Sequence, residues 1–281
     1  MTLIAIILAT LAAGIGSVWL AALLMRLGLG GRSDSVGPQH LLSLAAGALL
    51  ATAFMHLLPE AFESQAGAHD LFATLLIGVV FFFLLDKAEL WHHGHEHSHA
   101  APATGHDHGH DHDHAGHDHG HGHHHHHHGA PRAGGWAVLT GDSVHCFGDG
   151  ILIASAFMAD IRLGMIAAVS VLAHEVPHHM GDLVVLRQTS PNRRMALVKV
   201  SLAGAVTALG GIVGYFLVGQ LQDLLPYFLA VASSSFVYVA LADLIPQLQK
   251  RLSARETVAQ VAWLIAGMVI VTLVSGAAHG H

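Results

Sequence analysis

Eight times along this chain, a stretch close to the ~20 residues of a bilayer-crossing helix is dominated by apolar side chains. The stretches cover 3–27, 41–58, 71–85 (running on toward Trp91), 136–158, 164–186, 196–218, 224–248 and 258–274. They do not alternate apolar and polar residues as barrel strands would. The expected fold is therefore an all-α integral membrane protein with eight transmembrane helices. Only 11% of the 281 residues are Asp, Glu, Lys or Arg, less than half of the roughly 25% carried by a soluble domain. That excludes a soluble enzyme, and a net charge of −7 excludes a nucleic-acid binder driven by a basic face. The first stretch lacks a small-residue cleavage pattern and is read as a retained span. A lone cysteine, Cys146, rules out an internal disulfide.

Basic residues collect on the cytoplasmic side of membrane proteins. With eight spans, Arg26, Arg32, Lys87, Arg132, Arg187, Arg193, Arg194, Lys199, Lys250, Arg251 and Arg255 all flank connections on one side, which is 11 of the 12 basic residues. Arg162 is on the other. Both termini are thus expected outside, in a plasma (bacterial inner) membrane. The chain divides into 1–91 (three helices), 92–133 (a cytoplasmic connection) and 134–281 (five helices).

Two spans share a pattern. His56-Leu57-Leu58-Pro59-Glu60 aligns with Asp243-Leu244-Ile245-Pro246-Gln247, and the two spans run in opposite directions. An inverted repeat relating the first and last helices, as in many secondary transporters, is the expectation. Chance likeness of two helix ends is the plainer alternative.

Residues 92–128 hold 19 of the 28 histidines, interleaved with Asp, Gly and Ala. Such a segment cannot bury enough apolar surface to order itself and is expected to be disordered. Its neutral imidazoles suit Zn²⁺, Ni²⁺, Cu²⁺ or Co²⁺. The internal position of His123–His128, continuous with His-Asp-His-Gly repeats, argues against a purification tag.

Polar residues inside a span are costly, at about 2.5–3.5 kcal/mol for a central charge, so each calls for a partner or a purpose. The fourth span carries His145-Cys146-Phe147-Gly148-Asp149-Gly150. The fifth carries His174-Glu175-Val176-Pro177-His178-His179-Met180-Gly181-Asp182. His145 and Asp149 share a helical face, as do His174 and His178, with Glu175 beside them. At ~1.5 Å per residue, His145 and Asp149 lie about 14 and 20 Å from the cytoplasmic end of their span. His178 and His174 lie about 12 and 18 Å from the same side of theirs. Imidazole and carboxylate meeting at one depth suit Zn²⁺ or another borderline divalent ion. Pro177 loosens its helix by removing the amide that would bond Ala173, and Gly148 and Gly150 would let the fourth and fifth helices approach. A single buried histidine is more often an interhelical hydrogen bond than a ligand; six convergent groups are not so easily explained. His56 and Glu60 would line an entrance or form an ordinary interfacial pair.

These residues resemble the ZIP (Zrt/Irt-like protein) family of divalent-metal transporters. The likeness covers nearly the whole chain. Its most specific parts are the fourth-span signature, usually His-Asn-x-x-Asp-Gly, and the fifth-span signature, often His-Glu-x-Pro-His-Glu-x-Gly-Asp. The Leu-Leu-Pro-Glu and Asp-Leu-Ile-Pro strings also look like family landmarks. The resemblance implies metal-ligand roles for His145, Asp149, His174, Glu175 and His178. It further implies inward movement of Zn²⁺ by one group of helices shifting against another. Cys146 stands where the family has an Asn of its second metal position, so it joins the candidate ligands. His179 replaces a Glu. Both changes exchange oxygen for softer donors. His179, Asp182, His56 and Glu60 complete the candidate set.

The expected cargo is Zn²⁺, with Cd²⁺, Fe²⁺, Mn²⁺, Co²⁺ and Ni²⁺ as related candidates. No bound cofactor and no nucleic acid are expected; the partners are the ion, the bilayer and, left open, a second copy in a homodimer. The string His174–His178 also satisfies H-E-x-x-H, so an intramembrane zinc protease with Glu175 as base is a rival. A cation-diffusion-facilitator exporter and a non-transporting metal sensor are others. Histidine ligands must lose their proton to bind metal, so affinity is expected to weaken as pH falls through about 6.5, the unperturbed histidine value.

Overall fold

A computed structural model describes residues 1–28, 36–94, 134–189, 192–248 and 253–277. Residues 95–133, nearly all of the histidine-rich connection, lie outside them, as do Arg32, Arg132, Lys250 and Arg251. Within the described residues every regular element is a helix. We number the long rods α1 (Thr2–Arg26), α2 (36–62), α3 (Ala68–Gly94), α4 (Gly134–Ala159), α5 (Ile161–Thr189), α6 (Arg193–Gln220), α7 (225–248) and α8 (Ala254–Ala277). Each covers one of the apolar runs, and α3 extends beyond Trp91 to Gly94.

Six of these rods, α1, α2, α3, α6, α7 and α8, are long and apolar enough to cross a membrane. The other two are no shorter, at 26 residues for α4 and 29 for α5, but they carry the polar residues singled out above. Asp160 alone separates them. Its Oδ1 accepts hydrogen bonds from the backbone N–H of Arg162 (2.8 Å) and Leu163 (3.4 Å), capping the start of α5. Asn192 does the same for α6, accepting from Arg194 N at 2.9 Å.

The helices pack in two sets. In one, α4 lies along α6 and α5, and α1 fills the groove between α5 and α6; in the other, α2 lies along α8 and α7, and α3 lies against α7. The sets meet mainly where α2 crosses α5. Without a hydrophobic drive between helices in lipid, close backbone contact takes its place. The α4–α6 pair shows how: a Cβ on Gly150 would strike the Thr207 carbonyl, and one on Gly210 would strike the Phe147 carbonyl. Gly150 therefore serves α6, not α5 as expected from sequence, and a Cβ on Gly148 would meet nothing within 4 Å.

Three rods contain a widened π-helical turn, at Ala12–Gly16, Ala53–Leu57 and Val239–Leu244. Two of these immediately precede Leu58-Pro59 and Ile245-Pro246. A proline ring collides with the carbonyl four residues back, here Met55 and Ala242, and an extra residue in the turn opens space for it. The two matched pentapeptides thus fold into the same local distortion. Pro177 differs, because α5 runs through it unbroken.

Candidate metal centre

The periodicity of α4 and α5 gives each helix two polar pairs four residues apart, one helical turn that places both members on a common face. On α4 these are Asp142/Cys146 and His145/Asp149; on α5, Glu175/His179 and His174/His178. Because α4 and α5 are packed side by side, the pairs interleave into two groups whose ligand atoms lie within 4.8 Å of one another. The first is His145, Asp149, His174 and Glu175; the second is Asp142, Cys146, Glu175 and His179. Glu175 belongs to both.

In the first group His174 Nε2 lies 3.1 Å from Asp149 Oδ2, 3.4 Å from Glu175 Oε1 and 3.3 Å from His145 Nε2. His145 Nε2 lies 3.3 Å from Glu175 Oε1 and 3.9 Å from Asp149 Oδ2. The opposite ring nitrogen of His174 decides what Nε2 can offer. Its Nδ1 donates to the Ser170 carbonyl, 3.2 Å away, so in the neutral ring Nε2 carries a lone pair. That lone pair faces carboxylate oxygens. Asp149, His174 and Glu175 are almost wholly buried, with side chains at 3%, 1% and 1% exposure. Asp149 Oδ2 and Glu175 Oε1 lack any hydrogen-bond partner. Such a cluster of electron pairs away from water is stable only around a cation, a proton or a metal ion. The mixture of imidazole and carboxylate donors fits a borderline divalent ion.

The second group is built the same way from other atoms. Cys146 Sγ sits 3.7 Å from both Asp142 Oδ1 and Glu175 Oε2. His179 Nε2 is 3.1 Å from Glu175 Oε2 and 3.5 Å from Asp142 Oδ1. Its chemistry is softer, with sulfur and a single imidazole.

His178 stands beside the first group rather than in it. Its ring lies 5.6 Å from that of His145 and 5.9 Å from that of His174, centroid to centroid. Its Nε2, however, is 2.9 Å from Asp243 Oδ2 on the π-helical turn of α7. Asp182 falls in neither group. His56 and Glu60 are also apart from them, lining with Glu63, Asp160 and Arg162 a cavity of about 420 Å³ where α2 meets the α4–α5 junction.

Two participants escaped the sequence reading. Asp142 could have been found, since it precedes Cys146 by the same four residues that relate His145 to Asp149. Asp243 was noticed only for its repeat, because nothing local to α7 says that α5 lies opposite it.

Comparison with known proteins gives the arrangement its context. The family model for the ZIP zinc transporter matches residues 1–275. Among curated proteins the chain is similar to the zinc transporter foi of Drosophila melanogaster, 32% identical over 141 residues, covering 50% of this chain and 20% of that protein. It is 36% identical over 115 residues to zinc transporter ZIP4 of Homo sapiens, covering 41% and 18%. It is 38% identical over 114 residues to zinc transporter ZIP10 of Danio rerio, covering 40% and 13%. The matched parts thus span a fifth or less of these relatives' own length. A family match that takes in α4, α5 and the other described helices up to residue 275 leads to one conclusion: the chain belongs to the ZIP zinc transporter family.

Proposed function

We propose that this protein carries Zn²⁺ across a membrane toward the cytoplasm, by way of the buried group His145, Asp149, His174 and Glu175. The observation that carries the reading is the His174 ring. One nitrogen is fixed by Ser170 and the other is directed at two unpartnered carboxylate oxygens away from water. A donor set so arranged binds a cation and excludes the apolar interior as its natural contact.

Several finer features belong to the same reading. All eight rods cross the bilayer, with both ends outside and the histidine-rich connection in the cytoplasm of a plasma (bacterial inner) membrane. The likeness of the two proline-flanked π-helical turns supports an inverted repeat. The set α1, α4, α5, α6 shifts against the set α2, α3, α7, α8 to present the ion to either side. Cys146 and His179, with Asp142 and the shared Glu175, hold a second ion or receive the first in transit. His178 takes part by exchanging Asp243 for metal. His56 and Glu60 stand at the external mouth, and Asp182 lies one turn beyond His179 toward the cytoplasm. Cd²⁺, Fe²⁺, Mn²⁺, Co²⁺ and Ni²⁺ are the competing cargoes.

The H-E-x-x-H string does not serve peptide hydrolysis, since ZIP proteins are metal transporters, and the family match leaves the exporter reading without support. Uptake into proteoliposomes across Zn²⁺, Cd²⁺, Fe²⁺, Mn²⁺, Co²⁺ and Ni²⁺ tests the proposal. Zn²⁺ flux that vanishes in Asp149→Ala, in protein that still inserts, is the expected result. Undiminished flux in that variant would remove the site.

A further inference from the structure

α1 contributes no ligand to either group, yet one of its side chains touches the second. Ser17, at the end of the Ala12–Gly16 π-helical turn, is fully buried. Its Oγ lies 2.9 Å from His179 Nδ1 and 2.6 Å from the Gly14 carbonyl oxygen. A hydroxyl has one hydrogen to give. A carbonyl can only accept, so the short contact to Gly14 consumes that hydrogen. Toward His179 the hydroxyl oxygen is therefore an acceptor, and His179 Nδ1 must be the donor. The neutral ring is left with its lone pair on Nε2, the atom that lies 3.1 Å from Glu175 Oε2 and 3.5 Å from Asp142 Oδ1.

We propose that Ser17 is a positioning residue that locks His179 in the tautomer and ring orientation needed to donate Nε2 to a metal ion held with Asp142, Cys146 and Glu175. The inference rests on the reading of that group as a metal position. The lock is built from α1 backbone as well as side chain. Because the Gly14 carbonyl fixes the hydroxyl, the hydroxyl cannot rotate to offer its proton to Nδ1, and the other tautomer would leave two lone pairs facing each other in a dry interior. Ordinary histidine ligands are oriented by a carboxylate, a backbone carbonyl or a water; here a serine held by a neighbouring turn performs that task. The same turn packs tightly elsewhere: a Cβ on Gly14 would strike the Gly204 carbonyl of α6. The Gly14 carbonyl that takes the Ser17 proton is thereby held against α6.

The two groups can be read separately in one molecule. Only the second contains a thiol, so Co²⁺ bound there gives a near-ultraviolet thiolate-to-metal charge-transfer band, while the visible bands of Co²⁺ report all positions together, the histidine-rich connection contributing equally in every variant. The test is a Co²⁺ titration of the full-length protein in nanodiscs, as wild type, Ser17→Ala, Ser17→Thr, His179→Ala and the Ser17→Ala/His179→Ala double variant. Loss of a partner that orients a histidine ligand weakens metal binding by about 10–100-fold. That loss is expected for the charge-transfer band in Ser17→Ala, with affinity at the first position unchanged. Threonine, which keeps the hydroxyl, is expected to retain wild-type affinity, and Ser17→Ala should add nothing once His179 is gone.

Affinity within twofold of wild type in Ser17→Ala overturns the inference. So does an equal loss at both positions, or a full additional loss in the His179→Ala background, since either marks a general packing defect. A wild-type protein that binds Co²⁺ without any charge-transfer band would instead overturn the metal reading of the second group, and the role of Ser17 with it.

Discussion

His178 on α5 and Asp243 on α7 are joined across the boundary between the two helix sets, with 2.9 Å between Nε2 and Oδ2. Both side chains are about one-third exposed, at 33% and 37%, unlike the buried groups beside them. A partly hydrated pair of this kind contributes about 1 kcal/mol or less to stability. Its importance lies in what it withholds, because Nε2 cannot face Asp243 and ligate an ion in the first group at once.

Asp243→Ala should therefore release His178 toward His145 and His174. The expected outcome is Zn²⁺ bound several-fold more tightly and turned over more slowly, with little change in thermal stability. Equilibrium binding and proteoliposome flux, measured on one preparation, would show KM and kcat falling together. A lower kcat with unchanged affinity would indicate that the pair serves some other step.

Glu175 is the one residue shared by both groups, so Glu175→Gln should be the most damaging of the site substitutions. Flux is expected to fall by more than the roughly 100-fold that marks loss of a mere supporting contact. Saturating Zn²⁺ at about 100 times Kd should stabilise the wild type by about 2.7 kcal/mol, and that gain should be absent in the variant. Without metal, removing one of the crowded carboxylates should raise rather than lower the melting temperature. Thermal melts with and without Zn²⁺ check both signs.

Two glycines two residues apart, and therefore on opposite faces of α4, give a paired test. Gly150→Ala forces α4 away from α6 at the turn that carries Asp149, and overpacking of this kind costs about 1–3 kcal/mol. Lower thermal stability and weaker Zn²⁺ binding are expected together. Gly148→Ala meets open space and should behave as wild type. Equal effects of the two would mean that α4 is rotated from the orientation described.

Protons compete with metal for imidazole lone pairs. Zn²⁺ affinity should fall steadily as pH is lowered from about 8 to about 5, and a flat profile would argue against His145 and His174 as ligands. Deleting residues 92–128 should leave a working carrier with altered dependence on metal concentration. Complete loss of flux would make that segment part of the transport step.

The sequence alone determined the helices, because apolar runs of bilayer length that lack the alternation of barrel strands satisfy their backbone hydrogen bonds in lipid as helices. It also determined which polar residues share a helical face, since one turn is close to four residues. His145 with Asp149 and His174 with His178 were legible for that reason, and Asp142 with Cys146 was open to the same reading. What a face meets depends on the rotation of each helix about its own axis and on its choice of neighbour, and both are set by contacts between segments far apart in the chain. Only the tertiary structure could turn Gly150 toward α6, give His178 to Asp243, divide the donors into two groups around Glu175, and bring Ser17 of α1 against His179, 162 positions away.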